Sequence, residues 1–322
     1  MTVDVSVQVP TSAEETYAWL TEPARLRRWQ IIAGRTDPRV GGEFRWLIAP
    51  GHTALGAFTA IEPGRLASTW GWENNEEVPP GSSTVELTVE PNADGATVRL
   101  VHEGLPSDAQ AKGHTEGWEH FLQRLKGVTT TGDAGPDEFS AMSEESRLDA
   151  AEASLAVCLR VLRAIGTDHG TDQTPCAKFT VDDLLDHLLG SLVTLGGMAG
   201  RTFEASTVGT PEERVADAGL RATEAWRARG LDGMVTSRVG EIPAELGASI
   251  LSVELLVHAW DFATATGVAI AADDKLSAYV RELAGTLIAP QMRDGDQFAA
   301  EVPVGPDAGT LEKLIAYTGR AA

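Results

Sequence analysis

The spacing of apolar residues changes once along this chain of 322 residues, and that change limits what it can fold into. Through most of the first 130 residues the apolar positions alternate with polar ones, as in VDVSVQV (3–9) and STVELTVEP (83–91). From about residue 143 they recur every three to four positions. SEESRLDAAEASLAVCLRVLRAIG, for example, carries Leu148, Leu155, Cys158, Leu162 and Ile165. A period of two buries one face of a strand, and a period of 3.6 buries one stripe of a helix. The two patterns therefore predict two separate cores in one chain.

The front pattern reads as strand, helix, about five antiparallel strands, helix. TSAEETYAWL opens the first helix, with Ser12 and Glu15 spaced as a capping box. GGEFRWLI, GAFTAIEP, RLASTWGWE, STVELTVEP and ATVRLVHEG are each bounded by turn residues, and DAQAKGHTEGWEHFLQRLKG is a long closing helix. One helix across a curved sheet leaves a cavity between them. The segment at 127–142, GVTTTGDAGPDEFSAM, reads as a linker. Behind it, FTVDDLLDHLLGSLVTLGG begins with Thr180 and Asp183 in capping positions, and Thr210-Pro211 opens another helix. PAELGASILSVELLVHAWDFATATG ends on Gly267 as a C-cap, and two shorter helices follow.

Composition excludes several function classes. A net charge of −21 argues against nucleic acid and anionic membrane surfaces as partners. The front 130 residues contribute −6 of that charge and the rest −15. No contiguous run of about 18 apolar residues predicts a spanning helix. The start, MTVDVSVQVPTSAEE, lacks the pattern of a signal peptide, so a cytoplasmic location is expected. Cys158 and Cys176 are too few for a disulfide framework and fit a reducing compartment; Cys158 reads as core, and Cys176 as structural with proximity to a metal as its second reading. Walker, GxGxxG and GxSxG patterns are lacking.

Chemistry concentrates in VELLVHAWD. Glu254 and His258 lie four apart, so on a helix they share one side of an otherwise apolar run. Burying both is costly unless something satisfies them. They could pair with each other, or they could be two ligands of a metal whose third ligand comes from another helix. His187 in DDLLDHLLG is the candidate third ligand. A His-Glu-His set leaves one tetrahedral position open, as catalytic sites do. Asp183 and Asp261, each one turn from a histidine, are candidates to orient the imidazoles from behind.

TPCAKFTVDDLLDHLLG, ELLVHAWDFATATG and LIAYTGR, in that order, resemble the actinobacterial metal-binding family within the DinB-like four-helix bundles, which includes the mycothiol-dependent maleylpyruvate isomerases. The resemblance covers roughly residues 143–322. It implies an all-α bundle whose His187, Glu254 and His258 bind a divalent metal, usually zinc. It also implies a low-molecular-weight thiol such as mycothiol as co-reactant, and hence thiol transfer or isomerisation on a small molecule. The isomerases carry a further C-terminal domain, whereas 55 residues follow Gly267 here, so that particular isomerisation is not expected. The alternative is a non-enzymatic ligand-binding or stress-response protein with a structural metal.

TDPRVGGEFRW, GAFTAIEPGRLASTWGW, STVELTVEP, GATVRLVHEGLP and GHTEGWEHFLQRL resemble the homologues of the Hsp90 ATPase activator, within the START/Bet v1-like (SRPBCC) helix-grip superfamily. This resemblance spans residues 1–126. It implies an α+β helix-grip domain with an apolar cavity, for which Trp46, Phe58, Trp70, Trp72, His102, Trp118 and Phe121 are candidate lining residues. Taken singly, each of these aromatics reads first as core. A chaperone partner ranks last among the functions considered. Gly41-Gly42 suggests a bend at a strand start, and Arg39 and Arg45 suggest surface ion pairs. The expected layout is thus a helix-grip domain at 1–126, a linker at 127–142 and a metal-binding bundle at 143–322.

Overall fold

Val3, Val7 and Val9 are buried in strand β1 (Thr2–Val9), while the polar residues between them face out. β1 pairs antiparallel with β7 (Gly95–Glu103), placing Val3 opposite His102. The remaining strands are β2 (Ala33–Thr36), β3 (Glu43–Ala49), β4 (His52–Glu62), β5 (Arg65–Trp72) and β6 (Ser83–Asn92). Together they form one antiparallel sheet in the order β1-β7-β6-β5-β4-β3-β2. The structure, a computed structural model, describes residues 1–166, 168–237, 240–293 and 298–321. The chain divides into two units, Met1–Glu138 and Phe139–Ala322.

In the first unit, Ser12 caps α1 (Ala13–Thr21) by accepting from the Glu15 amide at 3.2 Å, as the capping pattern predicts. A short α2 (Pro23–Leu26) follows, and α3 (Asp108–Thr131) lies against the sheet. α3 buries Trp118, Phe121, Leu122, Leu125 and Val128 along one stripe. Leu125 is fully enclosed, so its side chain contributes about 1.5–3 kcal/mol. Gly41 turns with φ 79°, and a side chain on Gly42 would strike the Asp37 carbonyl oxygen at 2.2 Å. Three features depart from expectation. β2 and α2 are additional elements, and α3 continues to Thr131, so five residues read as linker are helical.

The second unit is a helical region. α4 (Arg147–Ala164), α5 (Val181–Met198), α6 (Pro211–Arg229) and α7 (Ala244–Thr266) pack on one another, followed by α8 (Asp274–Leu287) and α9 (Thr310–Tyr317). Capping boxes at Thr180/Asp183 and Thr210/Glu213 start α5 and α6, and Gly267 ends α7 in the left-handed region at φ 71°. An unexpected hairpin, β8 (Met234–Ser237) with β9 (Gly240–Pro243), joins α6 to α7.

α7 is the centre of the unit because it is apolar or small on every side, the pattern of a fully enclosed helix. By length and composition it could cross a membrane, yet 83% of its most apolar stretch is buried inside the unit. Close approach needs Gly247, where a Cβ would meet the Trp226 ring at 2.8 Å. Arg227 ties α6 to α4, with Nε 2.8 Å from Glu152 Oε1 and Nη2 2.7 Å from Glu152 Oε2.

Candidate metal centre

Helical spacing puts Glu254 and His258 on one side of α7, and the packing of α5 on α7 carries His187 to meet them. Glu254 Oε2 lies 3.6 Å from His187 Nε2 and 3.7 Å from His258 Nε2. The two imidazole rings stand 5.2 Å apart at 90°. All three ligand-type atoms fall within 4.8 Å of one another.

Those separations are too long for a direct hydrogen bond, and Glu254 Oε2 is buried without a hydrogen-bond partner among the described residues. They suit an ion placed between the atoms. Two ligands about 2.1 Å from a tetrahedral metal lie about 3.4 Å apart. Burial by itself would raise the Glu254 pKa. His187, His258 and a hydrogen bond from Ser191 outweigh burial and bring its carboxyl down to about 2. The carboxylate is therefore charged, enclosed and turned toward two imidazole nitrogens. The donor set fits a divalent cation.

The residues behind His258 fix its tautomer. Its Nδ1 lies 2.9 Å from Asp261 Oδ2. Burial pushes the Asp261 pKa up, but His258 and Arg320 pull it further down, so the group stays a carboxylate. A carboxylate can only accept, hence His258 Nδ1 carries a proton and Nε2 is the ring nitrogen on the Glu254 side. Arg320, in the C-terminal segment after α9, donates from Nε to Asp261 Oδ1 at 2.7 Å and from Nη2 to Oδ2 at 2.8 Å. The same Nη2 lies 3.1 Å from Cys176 Sγ, whose thiol donates to Asp261 Oδ2 at 3.4 Å.

Asp183 has another job. Its carboxylate accepts from the Thr180 amide at 3.0 Å and from the Thr180 hydroxyl at 2.7 Å, so it caps α5 instead of orienting His187. Phe179 stacks on the His187 ring at 5.0 Å and 25°. His187 is 38% exposed at its side chain against 8% for His258, so the cluster opens on the α5 side. Sequence reasoning missed Arg320, Phe179 and Ser191. Phe179 and Ser191, eight residues before and four after His187 along α5 and its approach, had a helical-spacing signal, whereas Arg320 had none. Of the cysteines, Cys158 is fully buried and its thiol is pushed up to about 12. Burial, then Asp261, raises Cys176 to about 11.

The first unit holds a small cavity of about 20 Å³, room for about one water. Four expected residues, Trp46, Phe58, Trp70 and Trp118, line it, joined by Trp29, Gln30 and Ser68. Trp72, His102 and Phe121 do not line it. Trp72 and His102 are held in a polar chain: Trp118 Nε1 donates to His102 Nδ1 at 3.1 Å, and Trp72 Nε1 donates to His114 Nε2 at 3.0 Å. The other nitrogen of His102 meets Ser83 Oγ at 2.8 Å. Phe121 packs in the core. Arg39 and Arg45 pair with Asp37 at 2.9 Å and Glu73 at 2.6 Å.

Residues 10–130 match the family model described as Activator of Hsp90 ATPase homolog 1-like protein. Two sequences of Mycobacterium tuberculosis, Uncharacterized protein MT0763 (strain CDC 1551 / Oshkosh) and Uncharacterized protein Rv0738 (strain H37Rv), are each 30% identical over 175 residues. The match covers 53% of this chain and 93% of each relative. That stretch is longer than the first unit and so takes in part of the second. Among solved structures, an AHSA1-like protein of Rhizobium etli is 34% identical, with TM-score 0.36, covering 45% of this chain and 92% of that one. Protein MLL2253 of Mesorhizobium loti is 24% identical, with TM-score 0.38, covering 41% and 99%.

Proposed function

Because the chain belongs to the family of the mycobacterial proteins MT0763 and Rv0738 and carries an AHSA1-like domain over residues 10–130, we propose that it joins a small-ligand domain to a divalent-metal protein. The metal is zinc, held by His187, Glu254 and His258 in a DinB-like bundle, and the protein works in the cytoplasm. Its reaction class is thiol transfer or isomerisation on a small molecule, with mycothiol or a similar thiol as co-reactant.

The observation that carries this reading is Glu254 Oε2, a buried carboxylate oxygen without a hydrogen-bond partner among the described residues, 3.6 Å and 3.7 Å from two imidazole nitrogens. When bound, a divalent ion there would supply the Lewis acidity that draws the proton from a thiol or water near neutral pH. The chain's own residues do the rest. Asp261 keeps the Nδ1 proton on His258 and holds its ring still, and Arg320 keeps Asp261 ionised. Phe179 holds the face of His187. The exposed side of His187 leaves a way in for substrate, which favours chemistry over a purely structural metal.

AHSA1-like folds often bind small ligands. In this chain the aromatic side chains leave space for about one water, so a larger guest requires them to move.

Elemental analysis of the purified full chain tests the metal, with His187→Ala beside it. The reading expects about one zinc per chain in the parent and little in the variant. An apoprotein that keeps its fold and gains a thiol adduct when reloaded supports chemistry. Collapse of the fold without metal supports the structural alternative, and a parent free of metal refutes both.

A further inference from the structure

Beside the proposed centre lies a second set of ligand-type atoms. Cys176 Sγ, His258 Nδ1 and an Asp261 oxygen sit within 4.8 Å of one another, a thiol, an imidazole and a carboxylate that suit zinc or cobalt. This set already faces a cation. Arg320 places Nη2 3.1 Å from Cys176 Sγ and 2.8 Å from Asp261 Oδ2, and Nε 2.7 Å from Asp261 Oδ1. Asp261 is wholly enclosed and Arg320 only 12% exposed, so the guanidinium is fixed in the position, not passing through it. A guanidinium keeps its proton and has no lone pair, so it can fill such a place without being a ligand.

The geometry points to Arg320 as a built-in cation that occupies a latent thiolate–metal site and so keeps a divalent ion from taking Cys176 as a ligand beside the proposed centre. This rests on the proposed metal reading only in that His258 is common to both sets, offering Nε2 to one and Nδ1 to the other. Without the guanidinium, a divalent ion bonds to Cys176 Sγ, Asp261 and His258 Nδ1. The Cys176 thiol proton and the Nδ1 proton leave to solvent, and no electron transfer is involved. Arg320 is thus a positioning residue: it decides which donors reach the metal without touching substrate.

The test loads the full-length apoprotein with cobalt(II) and reads the near-ultraviolet thiolate-to-cobalt charge-transfer band. The parent takes cobalt without that band. Arg320→Ala gains it, and Arg320→Ala combined with Cys176→Ser loses it again. Arg320→Gln, which retains hydrogen bonding, is the second variant in case the alanine change unfolds the region, with far-ultraviolet circular dichroism as the check. A band in the parent, or none in either folded Arg320 variant at saturating cobalt, overturns the inference. A parent that takes up no cobalt counts against the His187–Glu254–His258 centre, while the band in the variants still decides the role of Arg320.

Discussion

Asp261 Oδ2 stands 2.9 Å from His258 Nδ1, and this contact turns the free nitrogen of His258 toward Glu254. Asp261 accepts a proton at this position, so the nitrogen that faces it is the protonated one. Asp261→Asn therefore weakens metal binding without removing a ligand. A loss of about 10–100-fold in affinity is expected, measured by competition with a chromophoric chelator.

The same carboxylate anchors Arg320, so the two effects can be separated. Asp261→Ala leaves a largely enclosed guanidinium without its partner and costs about 3–5 kcal/mol of stability. Urea denaturation of the apoprotein reads this cost with no metal present.

Both thiols are kept from reacting. Cys158 is pushed up to about 12 by burial, and Cys176 to about 11 by burial and Asp261. Near neutral pH the thiolate fraction of each is negligible, so iodoacetamide leaves the native chain unlabelled. After unfolding, mass spectrometry finds both cysteines modified.

The first unit carries a titrating device of its own. Burial brings the His102 pKa down from 6.5 to about 3. The unfolded chain then binds more protons than the folded one between those two values. Stability is fully present above about pH 6.5 and declines as pH falls toward 3, by up to about 5 kcal/mol from this residue. His102→Gln flattens the fall in melting temperature between neutral and acidic buffers.

How much of this was legible in the sequence depends on how local each signal was. Thr180-x-x-Asp183 and Thr210-Pro211 announced their helices because a capping box and a first-turn proline are each complete within four residues. Gly267 likewise marked the end of α7. β2 was not legible: AGRT has no alternation, and its strand state comes from pairing Gly34 with Trp46 and Thr36 with Phe44.

Of the candidate site, the convergence of three side chains was legible because an apolar helix had to account for Glu254 and His258. Asp183 misled because an aspartate one turn before a histidine looks the same whether it caps the helix or orients the ring. Arg320 lies 59 residues beyond Asp261, and only the fold joins them. The aromatic-rich front segments announced a core but not its packing: Trp70 lies 5.0 Å from Trp118 with the rings tilted at 56°, filling much of the space a ligand would need.

Anomalous diffraction from crystals of the full chain, measured across the zinc edge, locates an ion held between α5 and α7. One peak is expected at bonding distance from Nε2 of His187, an oxygen of Glu254 and Nε2 of His258. Zinc-replete crystals with no peak there, and an ordered hydrogen bond joining Glu254 to an imidazole in its place, would contradict it.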